Sequence, residues 1–115
     1  MSRMILAKVL RYESYGEPSE VLKLLDEPVG KPGSGQIAVK WKLSPVNPAD
    51  INSIQGKYPS KPKLPAIGGN EGVGEVVDVG SGVDGLMVGD RVVPDGNNLG
   101  IWCQIGIHDR DHVLK

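Results

Sequence analysis

The stretch VNPADINSIQGKYPSKPKLPAIGGNEG, Val46 to Gly72, changes texture three times, and the rest of the chain is read outward from it. It opens on Asn47-Pro48-Ala49-Asp50, a short polar-capped turn. Ile51 and Ile54 lie three apart, on one side of a helical turn that Gly56 is placed to stop. Beyond Tyr58, Pro59, Pro62 and Pro65 forbid helix and predict an extended, irregular loop. That loop ends in Gly68-Gly69-Asn70-Glu71-Gly72. Three glycines around an amide and a carboxylate predict a backbone that turns sharply or approaches something closely. A long loop with prescribed chemistry in a small domain points to function, and the flanking sequence reads as the β-scaffold that holds it.

At 115 residues, the chain has the length of one domain that buries its own core. Lysines and arginines number 13 against 14 acidic residues and are scattered, so no nucleic-acid or anionic-membrane partner is implied. Cys103, alone, rules out an internal disulfide framework and a cysteine-rich zinc knuckle, which favours a reducing compartment. No apolar run approaches the roughly 20 residues of a membrane span. The opening MSRMILAKVLRY alternates like a strand and lacks the apolar core and cleavage site of a secretory signal. A mitochondrial transit peptide is not read in it either, so any such peptide is absent or already removed.

Sixteen glycines and nine prolines, spread along the chain, interrupt every candidate element before it reaches helix length. A mostly β domain of short strands follows. Met4 to Tyr12 reads as the first strand, Tyr15 to Pro18 as a turn, and Val21 to Asp26 as a second strand, although VLKLL is also compatible with local helix. Val29 to Gly35 is a loop. Gln36 to Ser44 is the clearest half-buried strand, with Ile37, Val39, Trp41 and Leu43 on the inner face and Gln36, Ala38, Lys40, Lys42 and Ser44 on the outer. Gly74 to Val79, Met87 to Pro94, Ile101 to Ile107 and His112 to Leu114 complete the strands.

Gly80 to Gly85 spells G-x-G-x-x-G after a strand, but no helical pattern follows it, so it is read as a hairpin loop rather than a dinucleotide site. His108 and His112, four apart in a strand-rich segment, do not share a face; with Cys103, Asp109 and Asp111 they fall short of three converging zinc ligands and are read as surface histidines. Trp41 and Trp102 read as core residues or a loop lid. Tyr58 sits between Lys57 and Pro59 without apolar periodicity, where packing explains it poorly. A positioned phenol can donate a proton to a developing carbanion or enolate; the competing reading is an exposed loop tyrosine.

Asn47-Pro48-x-Asp50-Ile51-Asn52, Ile54-Gln55-Gly56-x-Tyr58, Leu64-Pro65-Ala66, Gly69-Asn70-Glu71-Gly72 and Val88-Gly89-Asp90-Arg91-Val92 together resemble the N-terminal GroES-like catalytic domain of the medium-chain dehydrogenase/reductase superfamily. The nearest branch is similar to the mitochondrial trans-2-enoyl thioester reductases of type II fatty acid synthesis. The resemblance covers essentially all of residues 1–115 and implies a partly open β-barrel with one or two short helices. It also implies a two-domain reductase whose Rossmann cofactor domain is absent from this chain, which is then either an excised domain or a natural short product.

In the zinc alcohol dehydrogenases a cysteine stands near the position of Asn47 and a histidine at that of Asn70, so the resemblance implies a zinc-independent enzyme. It makes Tyr58 the proton donor to the α-carbon of a trans-2-enoyl thioester, with NADPH as hydride source, and places Asn47 near the nicotinamide or thioester. Asn70, Glu71 and Trp102 are assigned to the substrate pocket. Acyl carrier protein or coenzyme A thioesters are the implied substrates, a homodimer the implied full-length assembly and the mitochondrial matrix the implied location, with the cytoplasm the alternative in the absence of a transit peptide. The family's Gly-Thr-Trp is here Gly100-Ile101-Trp102, which removes a hydroxyl. The alternatives are a zinc-free quinone-oxidoreductase-like enzyme, set apart at Asn70-Glu71, and a non-catalytic truncated binding module.

Overall fold

In the computed structural model, described for residues 5–59, 61–96 and 98–115, β3 (Gln36–Leu43) is the strand on which the larger sheet is built. It pairs antiparallel on one side with β5 (Val73–Val79) and on the other with β7 (Ile105–Asp109). β6 (Arg91–Pro94) and β8 (Val113–Leu114) extend the sheet to the order β7-β3-β5-β6-β8. A second sheet has the order β2-β1-β4, from β1 (Ile5–Tyr12), β2 (Leu22–Val29) and β4 (Ala66–Ile67). Met4, the first residue of the expected opening strand, lies outside the described residues. The two sheets do not close on each other, as expected for a partly open GroES-like barrel.

The inner face of β3 is as the alternation predicts for Ile37, Val39 and Trp41, which join Val76, Leu86, Val92, Ile101 and Val113 in one buried cluster. Leu43 departs from it and is 73% exposed. Trp41 pairs with Gly74 but Leu43 with Val73, so Lys42 is the extra residue of a bulge that turns the strand end outward. Ala38, placed on the outer face, is buried, flanked in register by Asp78 and Ile107.

Two strand boundaries move for local reasons. Pro18 opens a single helical turn, α1 (Pro18–Val21), since its fixed φ suits a first helical position. β2 then runs on through Pro28, opposite Leu6, because an edge strand tolerates a residue without an N–H. Met87 to Asp90 is a turn rather than strand: the Asp90 N–H donates to the Met87 carbonyl at 3.1 Å, and the Asp90 carboxylate accepts from the Met87 N–H at 3.0 Å.

Residues 101–104, expected as strand, instead stitch the sheets together. The Leu10 N–H donates to the Trp102 carbonyl at 2.9 Å, the Gln104 N–H to Lys8 at 2.9 Å, and the Trp41 N–H to Gln104 at 3.0 Å. Gly80 to Gly85 is a loop, as read: the Gly80 N–H donates to the Gln36 carbonyl at 2.7 Å, and the Gly35 N–H to Ser81 at 2.8 Å. A turn follows it, with no helix before β6. No described helix is long and apolar enough to cross a membrane.

Candidate active site

Helix α2 (Pro48–Gln55) carries the first half of the site. Pro48 sits in its first turn, and Gly56 ends it in the left-handed conformation at φ 75°. Asp50 and Ile54, four apart and so on one face of the helix, are both buried, each at 1% exposure. Beyond Gly56 the proline-rich loop is pinned rather than free, since the Tyr15 hydroxyl donates to the Pro62 carbonyl at 2.7 Å and the Tyr15 ring packs against Gly56. Tyr58 emerges just past the helix and is 40% exposed.

The second half is the Gly68–Gly72 loop, and the close approach its glycines predict is to Trp102. A methyl group on Gly68 would lie 2.6 Å from the indole Cε3, and one on Gly69 would overlap Cδ1. One on Gly72 would lie 2.5 Å from the Leu43 carbonyl and 2.7 Å from Ile101 Cδ1. The loop thus lies flat against the indole and presents Asn70 and Glu71 toward α2.

Asp50 connects the two halves. Its Oδ2 accepts the Asn47 backbone N–H at 2.8 Å, and its Oδ1 accepts the Asn70 side-chain N–H at 2.8 Å. Asn70 Oδ1 in turn accepts the Asn98 backbone N–H at 2.7 Å. The Asn47 side-chain N–H donates to Glu71 Oε2 at 2.6 Å. A cleft of about 480 Å³ opens above these groups, lined by Asn47, Asp50, Tyr58, Asn70, Glu71 and Asn98 among others. Four of the five residues singled out from sequence therefore share one cavity.

Trp102 does not share it. It lies behind the loop and lines an apolar groove of about 570 Å³ with Leu24, Leu43, Val46, Ile51 and Ile54. Asp50 and Asn98 are cleft members that the sequence did not single out as site residues. Asp50 had a signal, the Asn-x-x-Asp spacing of a capping box, but nothing local showed that its second oxygen reaches Asn70, 20 residues away.

His108, read as a surface histidine, is 9% exposed in β7. Its Nε2 accepts the Trp41 indole N–H at 3.1 Å, and the rings meet edge-on at 5.5 Å. Burial, reinforced by nearby His112 and opposed by Asp109, lowers its pKa from 6.5 to about 4. His112 stays exposed in a 3-10 turn, Arg110–His112. Burial, and secondarily Glu27, raises the Cys103 thiol to about 12, the opposite of a reactive cysteine. Among the described residues no three His, Cys, Asp or Glu side chains gather as a metal site.

A two-sheet, partly open barrel with a short helix and a glycine loop facing one polar cleft defines a GroES-like catalytic domain. Residues 33–113 match the alcohol dehydrogenase GroES-like domain, and the chain belongs to that family. It is 46% identical over 115 residues to a mitochondrial enoyl-[acyl-carrier-protein] reductase of Caenorhabditis elegans, covering 99% of this chain and 33% of that protein. It is 45% identical over 108 residues to the human mitochondrial enoyl-[acyl-carrier-protein] reductase, covering 94% and 29%. The solved Etr1p complex with NADP and crotonyl-CoA superposes with a TM-score of 0.90 at 39% identity, over 97% of this chain and 34% of that one. The chain thus spans about a third of the length of the relatives it matches.

Proposed function

We propose that this chain is the substrate-facing domain of a trans-2-enoyl thioester reductase of mitochondrial type II fatty acid synthesis, zinc-independent and NADPH-dependent. The observation that carries the proposal is the cleft itself: Tyr58 lines it with Asn47, Asn70 and Glu71, and no described metal-ligand cluster competes for that place. Each carboxamide gives an N–H to a carboxylate, Asn47 to Glu71 and Asn70 to Asp50. Neutral amides held in this way supply fixed dipoles rather than metal ligands.

The chain's own residues offer little to a dinucleotide. The Gly80–Gly85 loop has no helix N-terminus after it to receive a pyrophosphate, so NADPH is assigned mainly to polypeptide beyond this domain. When bound, that cofactor supplies a hydride for the β-carbon of the enoyl thioester. Tyr58 gives its phenolic proton to the α-carbon as negative charge builds there, and the carbon–carbon double bond becomes single. The Asn47 carboxamide borders the nicotinamide or thioester end, while Asn70 and Glu71 shape the floor. Phenols are weak acids, so donation is concerted with charge build-up in a site from which water is shut out. Tyr58 is open to solvent here, and the rest of the enzyme supplies that cover.

The substrate is a coenzyme A or acyl carrier protein thioester, the location the mitochondrial matrix and the assembled enzyme a homodimer. Mitochondrial placement is supported by the names of the relatives. A quinone oxidoreductase of Escherichia coli complexed with NADPH shares the architecture at a TM-score of 0.80, but at 32% identity it matches less well than the enoyl reductases.

Tyr58→Phe in the two-domain protein tests the assignment, because phenylalanine keeps the ring and removes only the donor. The expected loss in kcat is about 10²–10⁴-fold, the usual contribution of a general acid, with kcat/KM falling alongside and NADPH affinity unchanged. A variant that keeps more than about a third of the normal kcat would show that another group or water supplies the proton.

A further inference from the structure

Trp102 was assigned to the substrate pocket, yet it lies behind the loop, and the side of the indole facing that loop suggests a different task. Its Nε1–H donates to Ser44 Oγ at 3.0 Å. Ser44 Oγ has one hydrogen, and it goes to the Glu71 carbonyl at 2.6 Å, a far better acceptor position than the Pro45 carbonyl at 3.4 Å. The Glu71 side chain then takes the Asn47 carboxamide at 2.6 Å. The backbone repeats the tie, as the Trp102 N–H donates to the Gly68 carbonyl at 2.8 Å.

We propose that Ser44 and Trp102 are positioning residues: a two-link relay, indole N–H to hydroxyl to Glu71 carbonyl, that sets where Glu71 holds the Asn47 carboxamide in the cleft. The relay fits the glycines around it. Gly68 and Gly69 leave room for the indole to lie flat on the loop, and Gly72 leaves room for the Leu43 carbonyl next to Ser44. A hydroxyl that both accepts and donates has no free rotor left, so it transmits the position of a half-buried ring to the loop.

A second chain of contacts serves as an internal control. Asn70 is held by Asp50 and Asn98 and touches neither Ser44 nor Trp102 through a hydrogen bond. A local relay therefore moves Asn47 and spares Asn70, whereas general loosening of the fold moves both.

The inference rests on the proposed role of the cleft, but its first test does not depend on turnover. Amide NMR spectra of the 115-residue chain are compared for the unaltered protein, Ser44→Ala, Trp102→Phe and Ser44→Thr. Expected for Ser44→Ala and for Trp102→Phe is a displaced Asn47 side-chain NH₂ resonance, with hydrogen exchange about tenfold faster, the scale of one lost hydrogen bond. Asn70 stays in place, and Ser44→Thr, which retains the hydroxyl, keeps the original spectrum. Trp102→Phe leaves a ring over Gly68 and Gly69, so it decides the matter should Ser44→Ala unfold. A folded variant with Asn47 unmoved overturns the relay, and so do Asn47 and Asn70 moving together. In the two-domain enzyme, Ser44→Ala is expected to lower kcat about three- to tenfold, with Ser44→Thr restoring it. If Tyr58→Phe stays active while Asn47 still moves in Ser44→Ala, the proton donor is wrong and the relay stands. The reverse pattern rejects the relay alone.

Discussion

Acid should weaken this domain through one histidine. His108 accepts the Trp41 indole N–H through Nε2 and so holds that bond only while Nε2 carries no proton. Its pKa falls from 6.5 to about 4 on folding, with burial the largest cause, His112 adding to it and Asp109 opposing it. A group whose folded pKa is depressed binds its proton more readily in the unfolded chain. The contribution of His108 is therefore full above pH 6.5, is lost as pH drops through the window from 6.5 to about 4, and changes no further below it. The difference of about 2.5 pH units, at 1.36 kcal/mol each, makes the loss on the order of 3 kcal/mol. That is a large share of the 5–15 kcal/mol typical of a domain. Urea unfolding of the 115-residue chain between pH 4 and 7.5 measures the slope, with His108→Phe beside it. Phenylalanine keeps a ring against Trp41 but leaves the indole N–H unpaired, so the variant starts about 1–3 kcal/mol less stable at neutral pH. Its decline between pH 6.5 and 4 should be shallower by most of the roughly 3 kcal/mol, since every other ionisable group is common to both proteins. Parallel stability curves for the two would refute the role given to His108.

Gly69→Ala should destabilise the domain by at least about 2 kcal/mol, because φ is +100° and the new methyl would overlap the Trp102 indole. Chemical denaturation reads the loss, and a variant within about 0.5 kcal/mol of the original would show that the loop is not clamped on that ring. Asp50→Asn puts an amide nitrogen where one of two buried carboxylate oxygens accepts an N–H, from Asn47 or from Asn70. One donor then faces another, and the expected cost is about 1–3 kcal/mol with a displaced Asn70 side-chain resonance.

The larger sheet was legible because alternation along β3 is a backbone property, set by the pleat before any tertiary contact exists. The same alternation misplaced Leu43, since a bulge at Lys42 depends on what β5 offers opposite, and no local residue type announces it. His108 was misread for a related reason: a histidine in a five-residue strand has no polarity of its own, and whether it faces water is decided by the indole 67 residues earlier. The cleft was legible in its parts, since Tyr58, Asn47, Asn70 and Glu71 all come from the two loops whose composition packing explains poorly. What joins them was not, because a carboxylate or hydroxyl becomes a connector only when the chain folds back on it. Asp50 binds one partner three residues before it and another 20 after, and Ser44 binds 27 and 58 residues away. Sequence therefore identifies the groups that face the cleft more readily than those that aim them. For an active site whose donor must meet a carbon to within a fraction of an ångström, the second set decides the rate as much as the first.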